Sequence, residues 1–269
     1  MKNIFLAVFG MVFSLALNSQ TLKVYKKGAV LKEYSSEVID SVVFVETTDP
    51  HEYVDLGLPS GTLWATCNVG ADKPEDYGLY FAWAETAGYS SATSEDHSFD
   101  WAHYKWMTAS HSSENQINRY TVNDGHTDGI WYVYYSYYTF VGDGKSYLDQ
   151  RDDVAIANWG RNWCMPTDVQ QLELLNSKYV TATWTCQNGV FGQIITSNTN
   201  GNNIFLPAAG YCNENGFVGV GSDGYYWSKK LYNSINATVN RFNNGAFVTD
   251  NCCRCYGLSV RPVRSAKND

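Results

Sequence analysis

Apolar residues along this chain fall in short runs broken by Gly, Asn and Asp. The exception is Ile4 to Leu17, interrupted only by Gly10 and Ser14. Behind it, Leu22, Val24 and Tyr25 predict an extended segment, Lys27-Gly28 a turn, and Val30 and Leu31 a return. Ile39 to Val45 has strong β-propensity and predicts another strand, and Asp49-Pro50 marks a boundary. From Tyr53 onward the pattern is of strands and loops, most clearly over Gly189 to Ala209 and Tyr225 to Val263. Two helices interrupt it. One spans Asp149 to Trp159, opening on carboxylates, carrying Val154, Ala155 and Ala157, and stopping at Gly160. The other begins at Thr167, an N-cap after Pro166, with Val169, Leu172, Leu174 and Leu175 at roughly helical spacing. Two helices and many short strands make an α+β fold with a loop-rich surface.

Composition narrows the function classes. The 269 residues suit one large domain with a small appendage. A net charge of -8 with no basic stripe argues against a nucleic-acid partner and against an anionic membrane surface. Tyr 20 and Trp 9 are high counts, so some rings must lie at the surface, as in extracellular binding proteins. Lys2 followed by the run to Leu17 has the form of an export signal, with cleavage expected near Ser19 or Gln20. The run is too short to span a bilayer comfortably, and no other segment is long and apolar enough for a membrane span. The expected organisation is a signal peptide over 1–20, a strand-rich segment over 21–48 and a large domain over 51–264, in an exported protein. Seven cysteines, Cys67, Cys164, Cys186, Cys212, Cys252, Cys253 and Cys255, permit disulfides in that setting without fixing their connectivity.

Several strings are distinctive in combination. They are Tyr53-Val54-Asp55-Leu56-Gly57-Leu58-Pro59-Ser60-Gly61-Thr62-Leu63-Trp64-Ala65, Phe81-Ala82-Trp83-Ala84-Glu85-Thr86, Asn158-Trp159-Gly160, Met165-Pro166-Thr167, Phe205-Leu206-Pro207-Ala208-Ala209-Gly210-Tyr211, Gly224-Tyr225-Tyr226-Trp227-Ser228 and Ser259-Val260-Arg261-Pro262-Val263. In this order they resemble the Fibrobacter succinogenes major paralogous domain family over roughly residues 51 to 264. The resemblance implies a C-type-lectin-like fold. It also implies a kinship with formylglycine-generating enzymes and with the variable proteins of diversity-generating retroelements. The chain departs from the family at Trp163-Cys164-Met165-Pro166-Thr167, where Arg usually follows Trp, and over Tyr89 to Lys145, which is longer and more aromatic.

Candidate chemistry is sparse. Asp149, Asp152 and Asp153 suggest either a calcium site or a helix start with Asp149 as the cap. Cys252-Cys253-Arg254-Cys255 has no converging partner, so neither a zinc site nor an oxidase centre is expected, and Cys252 and Cys255 should face opposite ways. The run Trp131 to Tyr138 should place Trp131, Val133, Tyr135 and Tyr137 on one face and Tyr132, Tyr134 and Tyr138 on the other, with one face exposed for sugar stacking or packing. His51, His97, His103, His111 and His126 read as solvated. Glu75, Asp76 and Glu85 are the carboxylates open to a glycosidase role. The expectation is therefore a non-catalytic surface protein without cofactor or metal, binding a glycan or a protein. The alternative is a cysteine-dependent oxidase or glycosidase-like enzyme on the same fold. The candidate ligand-binding residues are Tyr232, Asn233, Asn236, Thr238, Asn240, Arg241, Asn251 and Tyr256, expected on one exposed patch. Their residue types match substitutions at adenines of Asn codons, so retroelement diversification is a further expectation for this window.

Overall fold

The computed structural model describes residues 21–26, 29–35, 49–90, 93–94, 97–108 and 113–265. The chain divides into two units, Met1–Pro50 and His51–Asp269. In the first, β1 (Thr21–Lys26) and β2 (Ala29–Ser35) form an antiparallel hairpin with Thr21 opposite Ser35. The expected leader over 1–20, the Lys27-Gly28 turn and the strand expected over 39–45 lie outside the described residues.

The second unit begins with β3 (Tyr53–Asp55) and β4 (Thr62–Ala65). Two small hairpins follow, β5 (Thr93–Ser94) with β6 (His97–Ser98) and β7 (Tyr132–Tyr134) with β8 (Tyr138–Phe140). Helices α1 (Val154–Trp159) and α2 (Asp168–Glu173) come next. The meander β9 (Val180–Gln187), β10 (Val190–Ser197) and β11 (Asn203–Pro207) precedes the hairpin β12 (Tyr211–Asn213) and β13 (Gly216–Val218). A second meander, β14 (Gly224–Leu231), β15 (Asn236–Phe242) and β16 (Phe247–Cys253), leads to β17 (Val263–Ser265). The unit is thus β-rich, with two short α-helices among the described residues.

The ends of the unit meet through β4, which pairs with β3 on one side and β17 on the other. They share a neighbour and do not pair directly. All four residues of β4 are buried, because both sides of the strand are covered. Trp64, Trp83, Trp163 and Trp227 are almost wholly buried, while Trp159 is half-buried with His51 stacked on it at 3.7 Å.

β14 and the middle of β15 are covered on both faces, while β16 leaves Val248 and Thr249 exposed, and this governs the candidate site. Trp227, Ala237 and Val239 belong to a cluster with Phe81, Trp83 and Trp163. Tyr226 and Phe242, which alternate with them, belong to another with Leu56, Trp64 and Ile195. Gly224 lies so close to the Phe242 ring that a Cβ would fall 2.1 Å from it.

Both helices are shorter than their patterns predict. Residues Gln150–Asp152 form a 3-10 turn, and Asp153, not Asp149, caps α1, accepting from the N–H groups of Ala155 at 2.9 Å and Ile156 at 3.3 Å. Gly160, at φ 99, ends that helix in a conformation suited to glycine. Thr167 caps α2 in a reciprocal capping box with Gln170. The expected apolar stripe does not survive there. Val169 and Leu172 are exposed, whereas Gln171 and Leu174 are buried. Gln171 is held inside by donating to the carbonyls of Tyr226 at 3.0 Å and Trp227 at 3.1 Å.

Candidate functional site

The eight candidate residues do not form one patch. Tyr232 is 63% exposed on the turn after β14. Asn233 shapes that turn, its side-chain oxygen accepting from the N–H groups of Ile235 at 3.0 Å and Asn236 at 2.7 Å. Thr238 and Asn240 are buried, which corrects the expectation of exposure. They lie on the central strand β15, which is buried over residues 237–240 on both faces, and polarity alone does not place a residue outside. The Asn240 amide donates to the Gln171 carbonyl at 3.0 Å and its oxygen accepts from Thr249 at 3.4 Å, so its polarity is satisfied internally. Asn251 is half-buried opposite Thr238.

Arg241 and Tyr256 do converge, through two tyrosines that the sequence pattern hid. The Arg241 guanidinium sits 5.6 Å from the Tyr225 ring and 3.3 Å from Asp250. Tyr211 meets Tyr225 edge-on at 5.1 Å and stacks on Tyr256 at 5.6 Å. Tyr225 proximity, then Asp250, raises the Arg241 pKa, and burial pushes Tyr256 up to about 12, so the cation and the neutral phenol persist across the physiological range. Tyr211 and Tyr225 fall inside strings that read as structural. Period-2 alternation was the available signal, since Tyr225 must face away from the buried Tyr226.

Beside this platform is a surface hollow of about 460 Å³ lined by Trp184, Phe191, Asp223, Asn243 and Asn244 among others. The Trp184 and Phe191 rings are near-parallel with centroids 5.9 Å apart. Asp223 links the two features: it lines the hollow and lies within electrostatic reach of Tyr211, Tyr225 and Arg241. No single short motif announces the hollow, because its walls come from β9, β10 and the two loops flanking β14 and β15.

The acidic cluster is dispersed among cations and amides. Asp149 pairs with Arg119 and with Lys145 at 2.7 Å. Asp152, buried, accepts from the Tyr120 hydroxyl at 2.6 Å and faces Arg119 at 3.0 Å. Asp153 is committed to α1 and to the Met165 N–H at 3.0 Å. These contacts favour the structural role over calcium, with the cap at Asp153. No group of three or more metal-ligating side chains occurs among the described residues.

In the cysteine string Cys252 and Cys255 face different clusters, as expected, but Cys253 and Cys255 converge. Cys252 packs on the cluster around Trp227, and Cys253 lies 3.7 Å from Cys255, sulfur to sulfur. Arg254, between them, is fully buried. All seven cysteines are free thiols.

The aromatic run forms a hairpin with a fixed base and a free tip. Trp131 is buried, and its ring N–H points to Asp124 at 3.4 Å. The Tyr132 hydroxyl donates to Asn123 at 2.6 Å and accepts from the Gly125 N–H at 2.8 Å. Asp124 also accepts from the Ser234 N–H at 2.7 Å, tying the hairpin base to the turn that carries Tyr232. Beyond Tyr134 the strand turns, so the expected alternation ends. Tyr134, Tyr135, Tyr137 and Tyr138 are each more than half exposed.

The histidines are not uniformly solvated. His97 is buried, stacked on Tyr89 at 3.4 Å, and burial first of all lowers its pKa. His111 lies outside the described residues. Glu75 accepts from Asn188 at 2.6 Å and Glu85 from the Lys105 N–H at 2.7 Å, so the two carboxylates serve different parts of the fold. Among the described residues, no helix is long and apolar enough to cross a membrane. Comparison with protein-family models, with curated proteins and with solved structures finds no match to this chain.

Proposed function

We propose that this chain is an exported, non-catalytic binding protein whose 51–264 domain is C-type-lectin-like and belongs to the major paralogous domain type. Its ligand is a glycan or a protein held at the cell surface or outside it. The observation that carries this is the continuous surface of Tyr211, Tyr225, Arg241 and Tyr256 with the adjoining Trp184–Phe191 hollow. Aromatic faces offer contact area at low entropic cost, and Asp223, Asn243 and Asn244 offer directional hydrogen bonding beside them. A concave apolar floor with a few polar groups on its rim is the common form of a small-ligand or sugar subsite.

The test is a screen of the purified chain against glycans and mucosal proteins, followed by Arg241→Ala and Asn244→Ala. Both variants should keep their melting behaviour and lose binding. Unchanged affinity for every ligand found would remove this surface from recognition. Diversification of the C-terminal window should fall on Tyr232, Arg241, Asn251, Tyr256 and similarly accessible neighbours, since changes at buried positions cost stability. Sequencing the 3′ end of the gene from many cells checks that. Substitutions at the codons of Thr238 and Asn240 as frequent as at Tyr232 would count against it.

A further inference from the structure

Beneath the Tyr211–Tyr256 platform lies a second chemical feature, independent of whichever ligand the surface takes. The chain leaves β16 in a tight turn, closed by the Tyr256 N–H donating to the Cys253 carbonyl at 3.0 Å. Arg254, inside the turn, is anchored from several sides. It donates to the Tyr104 hydroxyl at 2.8 Å and to the carbonyls of Tyr120 at 2.7 Å, Ser234 at 3.0 Å and Arg119 at 3.0 Å. With Arg254 directed into the core, the flanking Cys253 and Cys255 are held side by side, their sulfurs 3.7 Å apart. Cys252 takes no part, being opposite Ala237 on β15 and packed in the cluster around Trp227.

We propose that Cys253 and Cys255 are a redox-modified dithiol that closes to an intramolecular disulfide by exchange with a low-molecular-weight or protein disulfide. Cys253 is half-buried and Cys255 is buried, so the accessible Cys253 thiolate attacks first. Its sulfur bonds to one sulfur of the donor, and the donor's other half leaves as a thiolate that takes up a proton. The Cys255 thiol then gives its proton to water and its sulfur attacks the Cys253 sulfur of the mixed disulfide. The second donor thiol is expelled. Two cysteine thiols and one donor disulfide become one protein disulfide and two donor thiols, so the protein is oxidised by two electrons and the donor is reduced. Burial, then the neighbouring Cys253, raises the Cys255 pKa, which makes ring closure the slow step and one that quickens with pH.

The bond must draw the sulfurs from 3.7 Å to roughly 2.05 Å across a ring spanning only three residues. So short a loop removes little chain entropy, and the small ring is readily reduced. The pair is therefore a reversible modification of the turn bearing Tyr256 and not a stabilising staple.

Trypsin separates the two thiols, because it cuts after Arg254. The full chain is incubated with oxidised glutathione at about pH 7 and about pH 9, a range over which thiolate populations change strongly. Free thiols are then alkylated with iodoacetamide and the digest is mapped without reduction. Residues 242–254 and 255–264 should be recovered joined, more rapidly at the higher pH, and should separate on reduction. Cys253→Ser should abolish the link and Cys252→Ser should preserve it. Fragmentation of the joined wild-type pair distinguishes Cys252 from Cys253 even where a variant folds poorly. Unjoined peptides at the higher pH, a link through Cys252, or a stable glutathione adduct on Cys253 would each overturn the proposal.

Discussion

Arg254 and Arg261 are the two largest polar side chains sealed in this fold, and both are fixed by backbone carbonyls. Arg261 bonds the Asn68 side chain at 2.9 Å and the carbonyls of Ala65, Thr66 and Phe205, joining β4 and β11 to the approach of β17. Arg254 joins the 119–120 loop, the turn after β14 and Tyr104. Removing such a hub leaves several buried acceptors without donors. Arg254→Met should cost about 3–5 kcal/mol, since each orphaned buried carbonyl costs about 1–3 kcal/mol and the site can relax in part. Urea unfolding measures this, and a loss under about 1 kcal/mol would show that water satisfies the vacated carbonyls.

At the scale of elements, short pieces are held by caps and by core contacts. Helix α2 has six residues, too few to persist on propensity alone, so its start matters. Thr167→Ala should cost about 1 kcal/mol through loss of the capping box. Trp227, wholly buried on β14 with its ring N–H donating to the Phe81 carbonyl at 2.7 Å, is of another order. Trp227→Ala should cost about 3–5 kcal/mol, and a cooperative variant with unchanged melting would contradict its place in the core. The β7–β8 hairpin gives the opposite expectation. Replacing Tyr134, Tyr135, Tyr137 and Tyr138 together by Ser should change stability by no more than about 1 kcal/mol, because their rings face solvent and the base is held by Trp131 and Tyr132. Thermal melting of the quadruple variant decides it.

For the molecule as a whole, acid is the expected weak side. Lys145 first of all holds the Asp149 carboxyl below its ordinary range. Asp168 is also held low: burial opposes its ionisation, but the Lys230 ammonium at 2.7 Å and the Tyr147 hydroxyl prevail. Such groups bind fewer protons folded than unfolded. Their stabilisation is therefore complete above the unfolded value of about 3.9 and is lost as pH falls through their lower folded values. Asp153 has the reverse sign, because burial raises its pKa, so acid relieves part of its cost. Glu75, Asp100 and Asp124 are held low as well and Glu85 is raised like Asp153, so five lowered carboxyls against two raised predict a urea midpoint that is level near neutrality and declines below about pH 4. Lys230→Met should flatten that decline, and an unaltered acid limb would remove Asp168 from it. Export has its own check: protein recovered outside the cell should begin near residue 20 or 21, and an intact Met1 would refute cleavage.

What the sequence determined by itself is the local grammar. It placed strands over 189–209 and 225–263, Thr167 as a cap and Gly160 as a stop, because strand alternation, capping and glycine conformation depend on neighbours along the chain. It placed helix lengths poorly, since fewer than two turns leave no periodicity to read. The site was half legible. Arg241 and Tyr256 were grouped and do lie together, but Thr238 and Asn240 were assigned to the surface, because polarity does not reveal that β15 is covered on both faces. Only the tertiary structure could bring Tyr211, Tyr225, Trp184 and Asn244 beside them, or set Cys253 against Cys255 by turning Arg254 inward. Those groupings depend on which strand lies next to which and on which face is covered, and non-local packing alone decides both.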